Sequence, residues 1–330
     1  GGGAMNQIEW SEPRTLAEAI GQLGPTSVAK AGGVELMDLM KERLVTPARL
    51  VNLRGVPGLD RVQDRGAEGL RVGPLVTLAR LAEDATVRAR CRALADAAGH
   101  AATPQIRNMA TVGGNLLQRP RCWYFRSEQF PCLRKGGDRC FAHDGENAYH
   151  AVFGHRACCA VHASSLAPAL VALGASVELT GSRGARLVPL EQFFVPAETV
   201  TVRDTVRADD EVLTDVVLPA PAAGASSAYA KEAQKESYDW PLVEVAVVLE
   251  RAGGTCSRAA VVLGAVAPTP WRARAAEAAL VGRAVDDASA RDAGRAALQG
   301  AAPLRDHGYK LNLIEVAVRR AVLAAAEGVR

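Results

Sequence analysis

The chain has 330 residues, 48% of them hydrophobic but only 5% aromatic, and a net charge of +3. That length holds two or three domains with real cores, and a mean hydropathy near zero is that of a soluble globular protein. So small a charge, with no basic run interleaved with aromatics, argues against nucleic-acid binding, and no apolar run approaches the roughly 20 residues of a membrane helix.

Residues 1–4, ahead of Met5, read as an appended tag and are set aside. Ser11-Glu12-Pro13 leads into Thr15-Leu16-Ala17-Glu18-Ala19-Ile20, a capped helix with apolar spacing at Leu16, Ile20 and Leu23. A strand over 27–31 enters Gly32-Gly33, and a helix over 36–41 follows. A strand over 51–53 ends at the Pro57-Gly58 turn. Hairpin-like strands around 69–73 precede a helix over 77–83 and a long Ala-rich helix over 87–98. Beyond a cysteine-rich loop come a helix over 165–173 and strands over 176–180 and 212–218. Pro219-Ala220-Pro221-Ala222-Ala223-Gly224 reads as a linker. The last block has a strand over 229–233, a helix or strand from Leu242, a strand over 259–265, and helices over 272–281 and 311–327. The fold class expected is α+β.

Three turns carry candidate chemistry. In Ala31-Gly32-Gly33-Val34-Glu35-Leu36, glycines between a strand and a helix let backbone amides approach a phosphate at the positive end of the helix. The third glycine and the spacing of a Rossmann fingerprint are missing. Thr103-Pro104-Gln105-Ile106-Arg107-Asn108 and Thr111-Val112-Gly113-Gly114-Asn115 are two polar turns that offer Thr and Asn side chains, and they abut the cysteine loop. Val161-His162-Ala163-Ser164-Ser165 opens a helix beyond that loop. Together they suggest a long, phosphate-containing ligand between two subdomains.

Five of the seven cysteines, Cys122, Cys132, Cys140, Cys158 and Cys159, lie between Arg119 and His162. With no secretory signal to imply a disulfide framework, clustered thiols point to metal. Thiolate and imidazole (His143, His150, His155, His162) are both available. The close Cys pairs of a zinc site are absent. Four widely spaced thiolates from one loop can enclose a cubane iron–sulfur cluster, but ferredoxin spacing is absent too, so the residues leave iron–sulfur and zinc both open. No Ser-His-Asp set, paired carboxylate or activated nucleophile is visible, so no catalytic side chain is expected.

Ala31-Gly32-Gly33, Ile106-Arg107-Asn108 with Thr111-Val112-Gly113-Gly114-Asn115, and Tyr229-Ala230-Lys231 resemble the FAD-binding subunit of the xanthine dehydrogenase family of molybdenum hydroxylases. The run from Asn115 to Arg126, through Arg119-Pro120-Arg121-Cys122-Trp123-Tyr124, resembles the branch whose flavin subunit carries an extra 4Fe–4S cluster. Bacterial aldehyde oxidoreductase flavin subunits match best, and the 4-hydroxybenzoyl-CoA reductase beta subunit is more distant. The resemblance implies a two-subdomain FAD-binding domain of the vanillyl-alcohol-oxidase type over 5–220, with subdomains 5–57 and 58–220 and an iron–sulfur loop at 119–160. A C-terminal α+β domain of the CO dehydrogenase flavoprotein type would span 225–330.

It also implies residue roles. Backbone amides of Lys30, Ala31, Gly32, Gly33, Val34, Glu35 and Leu36 would hold the FAD pyrophosphate; Thr103, Ile106, Asn108, Thr111, Gly114 and Asn115 would line the flavin and diphosphate; Ser164 would stand near the adenine and Lys231 near the flavin. The family's Thr and Asp/Asn are here Val34 and Glu35, and its Pro-Ser-Asp is Ala163-Ser164-Ser165, which removes one carboxylate. Tyr238 and Trp240 sit where a side chain could cover the isoalloxazine, with core packing the default expectation for both. Cys122, Cys132, Cys140 and Cys158 would bind the cluster, Cys158 being chosen over Cys159 because it lies four residues before His162. Arg121, Arg126, Arg134, Lys135 and Arg139 would stabilise its reduced form. The partners implied are a molybdenum-cofactor large subunit, a 2Fe–2S small subunit and an external electron acceptor. The compartment expected is the cytoplasm, or the periplasm by export with a signal-bearing partner. The rival readings are a reductase of CoA esters in the same branch and a zinc-stapled binding module.

Overall fold

The computed structural model describes residues 7–200, 202–236 and 238–328. Residues 1–6, with the boundary expected at residue 5, lie outside the described residues. Helices and three sheets are mixed throughout, as the α+β reading requires.

The first sheet is parallel, with Arg49–Asn52 between Glu9–Ser11 and Ser27–Lys30. The helix Leu16–Gly21, capped by the Thr15 hydroxyl, packs Ala19 into a small core with Val51, Leu53 and Val56. The second sheet is antiparallel and runs Val62–Asp64, Leu70–Val72, Val212–Leu218, Ser176–Gly181, Gly184–Pro189. The third, also antiparallel, runs Trp271–Arg272, Thr255–Gly264, Pro241–Ala252, Ser226–Ala233.

Pro241–Ala252 settles the helix-or-strand ambiguity as strand. Val243, Val245, Val247 and Leu249 enter the C-terminal core, while Ala246 and Val248 enter the core of the second block. A strand buried on both faces reads as a continuous apolar run and hides its alternation. The C-terminal sheet is thereby clamped between the helices Arg92–Gly99 and Leu166–Ala172 on one side and Lys310–Glu327 on the other.

Two expectations are corrected, and one helix was not expected. The Ala-rich helix over 87–98 is two helices, Ala85–Arg90 and Arg92–Gly99, parted at Cys91 (φ −140°, ψ 55°). Asp84 caps the first, and the Ser227 hydroxyl accepts from the Ala93 amide at the start of the second. The two Thr/Asn turns are short helices, Pro104–Met109 and Val112–Leu116, whose N-caps are Thr103 and Thr111. Both threonine hydroxyls are engaged in capping, at 3.3 Å from the Ile106 amide and 3.2 Å from the Gly114 amide. The helix Asp287–Ala296 went unread; its Asp286–Ser289 capping box lacks the usual Glu or Gln.

Candidate functional site: a cleft beside a cysteine loop

A cleft of about 640 Å³ opens between the first two sheets and the edge of the third. Its walls include Ala31, Gly32, Gly33, Val34, Glu35, Leu36, Thr103, Ile106, Thr111, Gly114, Asn115 and Lys231. Most of the sequence-predicted positions therefore converge on one cavity from four segments of chain.

Gly32 and Gly33 are required for different reasons. A Cβ on Gly32 would stand 1.9 Å from the Met109 carbonyl oxygen, so only glycine lets this turn pack against Pro104–Met109. Gly33 has φ +84° and is the N-cap of Val34–Lys41, with no side-chain cap. The uncapped first-turn amides of that eight-residue helix lie at the cleft wall, a suitable place for a phosphate.

Lys30, Asn108 and Ser164 are off the cleft wall. Lys30 lies over the Trp10 ring at 5.3 Å, and Asn108 is exposed. Ser164 is buried, donates to Asn115 Oδ1 at 2.6 Å and accepts from the Ala167 amide. It orients a cleft residue, and Ser165 lines the cavity in its place. Lys231 donates to the carbonyls of His100 (3.1 Å) and Asp239 (2.6 Å). Burial lowers its pKa from the ordinary lysine value. Tyr238 and Trp240 stand at the mouth, 64% and 58% exposed, with the Arg121 guanidinium 5.1 Å from the Trp240 ring. Large aromatics left that open beside a cavity can close over a ligand.

The loop from 119 to 160 has one four-residue helix, Trp123–Arg126, and one turn of 3-10 helix, Leu133–Lys135. All seven cysteines are free. Cys122 is at the centre of the five loop cysteines: it belongs to three small apolar clusters that hold, respectively, Cys132, Cys140 with Cys159, and Cys158. Burial pushes the Cys122 thiol up to about 12, with Cys158 and Cys140 adding to the shift. Cys158 is also raised, by its hydrogen bond with Cys140 and by burial. Such thiols stay protonated unless a metal displaces the protons. Arg134, 3% exposed, donates from Nε to Cys158 Sγ at 3.5 Å and pairs with Asp204. His150 Nε2 lies 3.2 Å from Cys122 Sγ.

Loop and cleft are wired together. Glu35, in the first turn of the cleft helix, pairs with Arg121 at 2.6 Å and Arg126 at 2.7 Å and accepts from the Arg119 amide. Asp204 bridges Arg119 and Arg134. Asp204, Arg119 and Arg207 also line the cleft, and nothing in the sequence marked them: isolated Arg and Asp are ordinary on a surface. On the far side, Lys310 is fully buried and donates to the carbonyls of Tyr149, His150 and Ala265, pinning the loop to the C-terminal sheet.

Residues 6–221 match the FAD binding domain in molybdopterin dehydrogenase, and residues 228–325 match the CO dehydrogenase flavoprotein C-terminal domain. The chain belongs to the FAD-binding medium subunits of the molybdenum hydroxylase family, and is an oxidoreductase subunit. It is 37% identical over 281 residues to the aldehyde oxidoreductase FAD-binding subunit PaoB of Escherichia coli, covering 84% of this chain and 86% of that one. It is 29% identical over 327 residues to the carbon monoxide dehydrogenase medium chain of Hydrogenophaga pseudoflava, covering 97% of each. The solved carbon monoxide dehydrogenase from Hydrogenophaga pseudoflava superposes with a TM-score of 0.77 at 30% identity over 98% of both chains. Quinoline 2-oxidoreductase from Pseudomonas putida gives 0.76 at 27%, over 98% of this chain and 99% of that one. This membership removes the zinc-stapled binding module as a class. Among the described residues no helix is long and apolar enough to cross a membrane.

Proposed function

We propose that this chain is the electron-transfer subunit of a molybdenum-dependent aldehyde oxidoreductase, with FAD in the cleft and one 4Fe–4S cluster on Cys122, Cys132, Cys140 and Cys158. Its proposed partners are a large subunit with molybdenum cofactor and a small subunit with 2Fe–2S clusters; the relay delivers electrons from them to an external acceptor. The observation that supports the reading is the coupling of cleft and loop through Glu35 and Asp204, which would hold the two proposed redox sites in one frame of ion pairs. The likeness to an aldehyde oxidoreductase flavin subunit supports the substrate class.

FAD supplies, when bound, chemistry that joins one-electron and two-electron carriers. The chain's own part is binding and electrostatics. The amides at 33–36 would take the pyrophosphate. Lys231, held by two carbonyls at the cleft wall, would offer a fixed positive charge to the bound cofactor. Tyr238 and Trp240 would exclude water from its face. At the loop, Arg134 and the buried His150 would donate to cluster sulfurs and favour the more negative, reduced state.

The test uses the co-purified complex and an artificial acceptor. Aldehyde-dependent acceptor reduction is expected, and Gly32→Ala, which drives a methyl into the Met109 carbonyl, should lose most bound FAD and most of that activity. A complex that reduces acceptor with other molybdenum hydroxylase substrates but with no aldehyde would overturn the substrate class.

A further inference from the structure

Glu244 is a buried acid for which the relay described above has no use. It is 1% exposed and belongs to Pro241–Ala252. The register sets it opposite Lys231 on one neighbouring strand and opposite Gly264 on the other. A Cβ on Gly264 would stand 2.5 Å from Glu244 Oε2 and 2.7 Å from Pro168 Cγ, so glycine leaves the room that the carboxyl fills against the helix Leu166–Ala172. Lys231 spends its ammonium on the carbonyls of His100 and Asp239, and the acid has no ion pair among the described residues. A carboxylate so enclosed and unpaired is costly, and the protonated acid is the form that fits. Burial raises its pKa accordingly.

Two hydroxyls close around the carboxyl. Tyr229 Oη donates to Glu244 Oε1 at 2.6 Å, and burial keeps that phenol protonated. Ser165 is the N-cap residue of Leu166–Ala172, but its hydroxyl makes no cap bond. It faces Glu244 and Tyr229 instead. Ser165 also lines the cleft, so the acid stands one hydroxyl behind the cleft wall. The charges around this group are few. Lys231 favours the ionised acid; Asp239 and Arg107 act on Lys231 in opposite senses; the His100 ring stacks on Tyr229 at 6.2 Å.

We propose that Glu244 is a proton store for the cleft, giving its proton through Ser165 as electrons arrive there and taking it back as they leave. The inference rests on FAD lying in this cleft and on the iron–sulfur carriers of the proposed relay as the electron source. The transfer balances. The Ser165 hydroxyl passes its proton to the ligand that gains electrons, and the Glu244 O–H bond breaks to restore that hydroxyl. The carboxylate left behind keeps the Tyr229 and Ser165 hydroxyls as donors and faces Lys231 across the strand pair.

The co-purified complex is reduced with dithionite in an infrared cell while flavin absorbance is followed. The wild type should lose a protonated-carboxyl C=O band on reduction, regain it on reoxidation and show it shifted in D₂O. Glu244→Gln keeps the size and stays neutral; it should lack that change while FAD stays bound. Ser165→Ala should suppress the same change, because the acid then has no route to the cleft. The store is overturned if the flavin is fully reduced with no carboxyl band lost, or if the loss persists in Glu244→Gln. Should Glu244→Gln not assemble, an undiminished change in Ser165→Ala overturns it. A complex without flavin absorbance would overturn the placement of FAD as well, which separates the two failures.

Discussion

The cleft and the cysteine loop differ in what shapes them. The cleft walls are regular elements: a strand–Gly-Gly–helix unit, two short helices with their own threonine caps, and a sheet edge. Backbone hydrogen bonds and apolar cores specify that geometry before any ligand arrives. Between 119 and 160 there is little regular structure, and what organises the segment is side chains: buried thiols, Arg134 with Asp204, and Lys310 gathering three carbonyls. The cleft is a preformed receptor, whereas the loop keeps its shape through polar groups that a bound metal would unite.

Cysteine replacement pushes hardest on that contrast. Cys122→Ser, at the meeting point of the thiols, should abolish cluster iron and open the loop to protease, yet leave FAD bound; iron and flavin analysis with limited proteolysis checks this, and an iron content equal to the wild type would refute the ligand assignment. Next comes the buried guanidinium. Arg134→Leu removes one of the two arginines on Asp204, which keeps Arg119, and should cost about 1–3 kcal/mol, read as a lower unfolding midpoint, with little change if the loop is held by metal alone.

Acid should act more mildly. Burial lowers His162 to about 4, with Arg134 opposing and Asp204 favouring its charge, and its Nε2 is sealed from solvent without a partner among the described residues. The unfolded chain takes up this proton near 6.5 and the folded chain only near 4, so stability falls as pH drops from 6.5 to 4 and levels off below. The loss is at most about 3 kcal/mol for this residue. His150 and His307, both lowered to about 4 chiefly by burial, add in the same sense. His162→Phe should flatten part of the slope in denaturation curves taken across that range; an unchanged slope would show that His162 is not held neutral.

Local signals made the cleft legible. Gly32-Gly33 after a strand, and the Thr and Asn runs at 103–115, lie close in sequence and carry their chemistry in residue type. Their helical caps were misread as free side chains because a threonine before a Pro or Val announces a turn and a cap equally. Pro241–Ala252 was ambiguous because two cores erase its period. The long-range partners were invisible: Arg134 meets Asp204 across 70 positions, and Lys310 reaches back to Tyr149 and His150. Cysteine density suggested a metal centre in the loop as an expectation, whereas the hydrogen bonds that orient His143 and His155 toward Cys159 exist only in the folded geometry.

The most direct test of a two-site relay is a count of FAD, iron and acid-labile sulfide per chain in the purified complex, subtracting the 2Fe–2S contribution of a complex whose Cys122, Cys132, Cys140 and Cys158 are all serine. One FAD with a difference of about four irons and four sulfides is the result expected. One FAD with no difference in iron or sulfide would contradict it, leaving a flavoprotein whose cysteine loop serves another purpose.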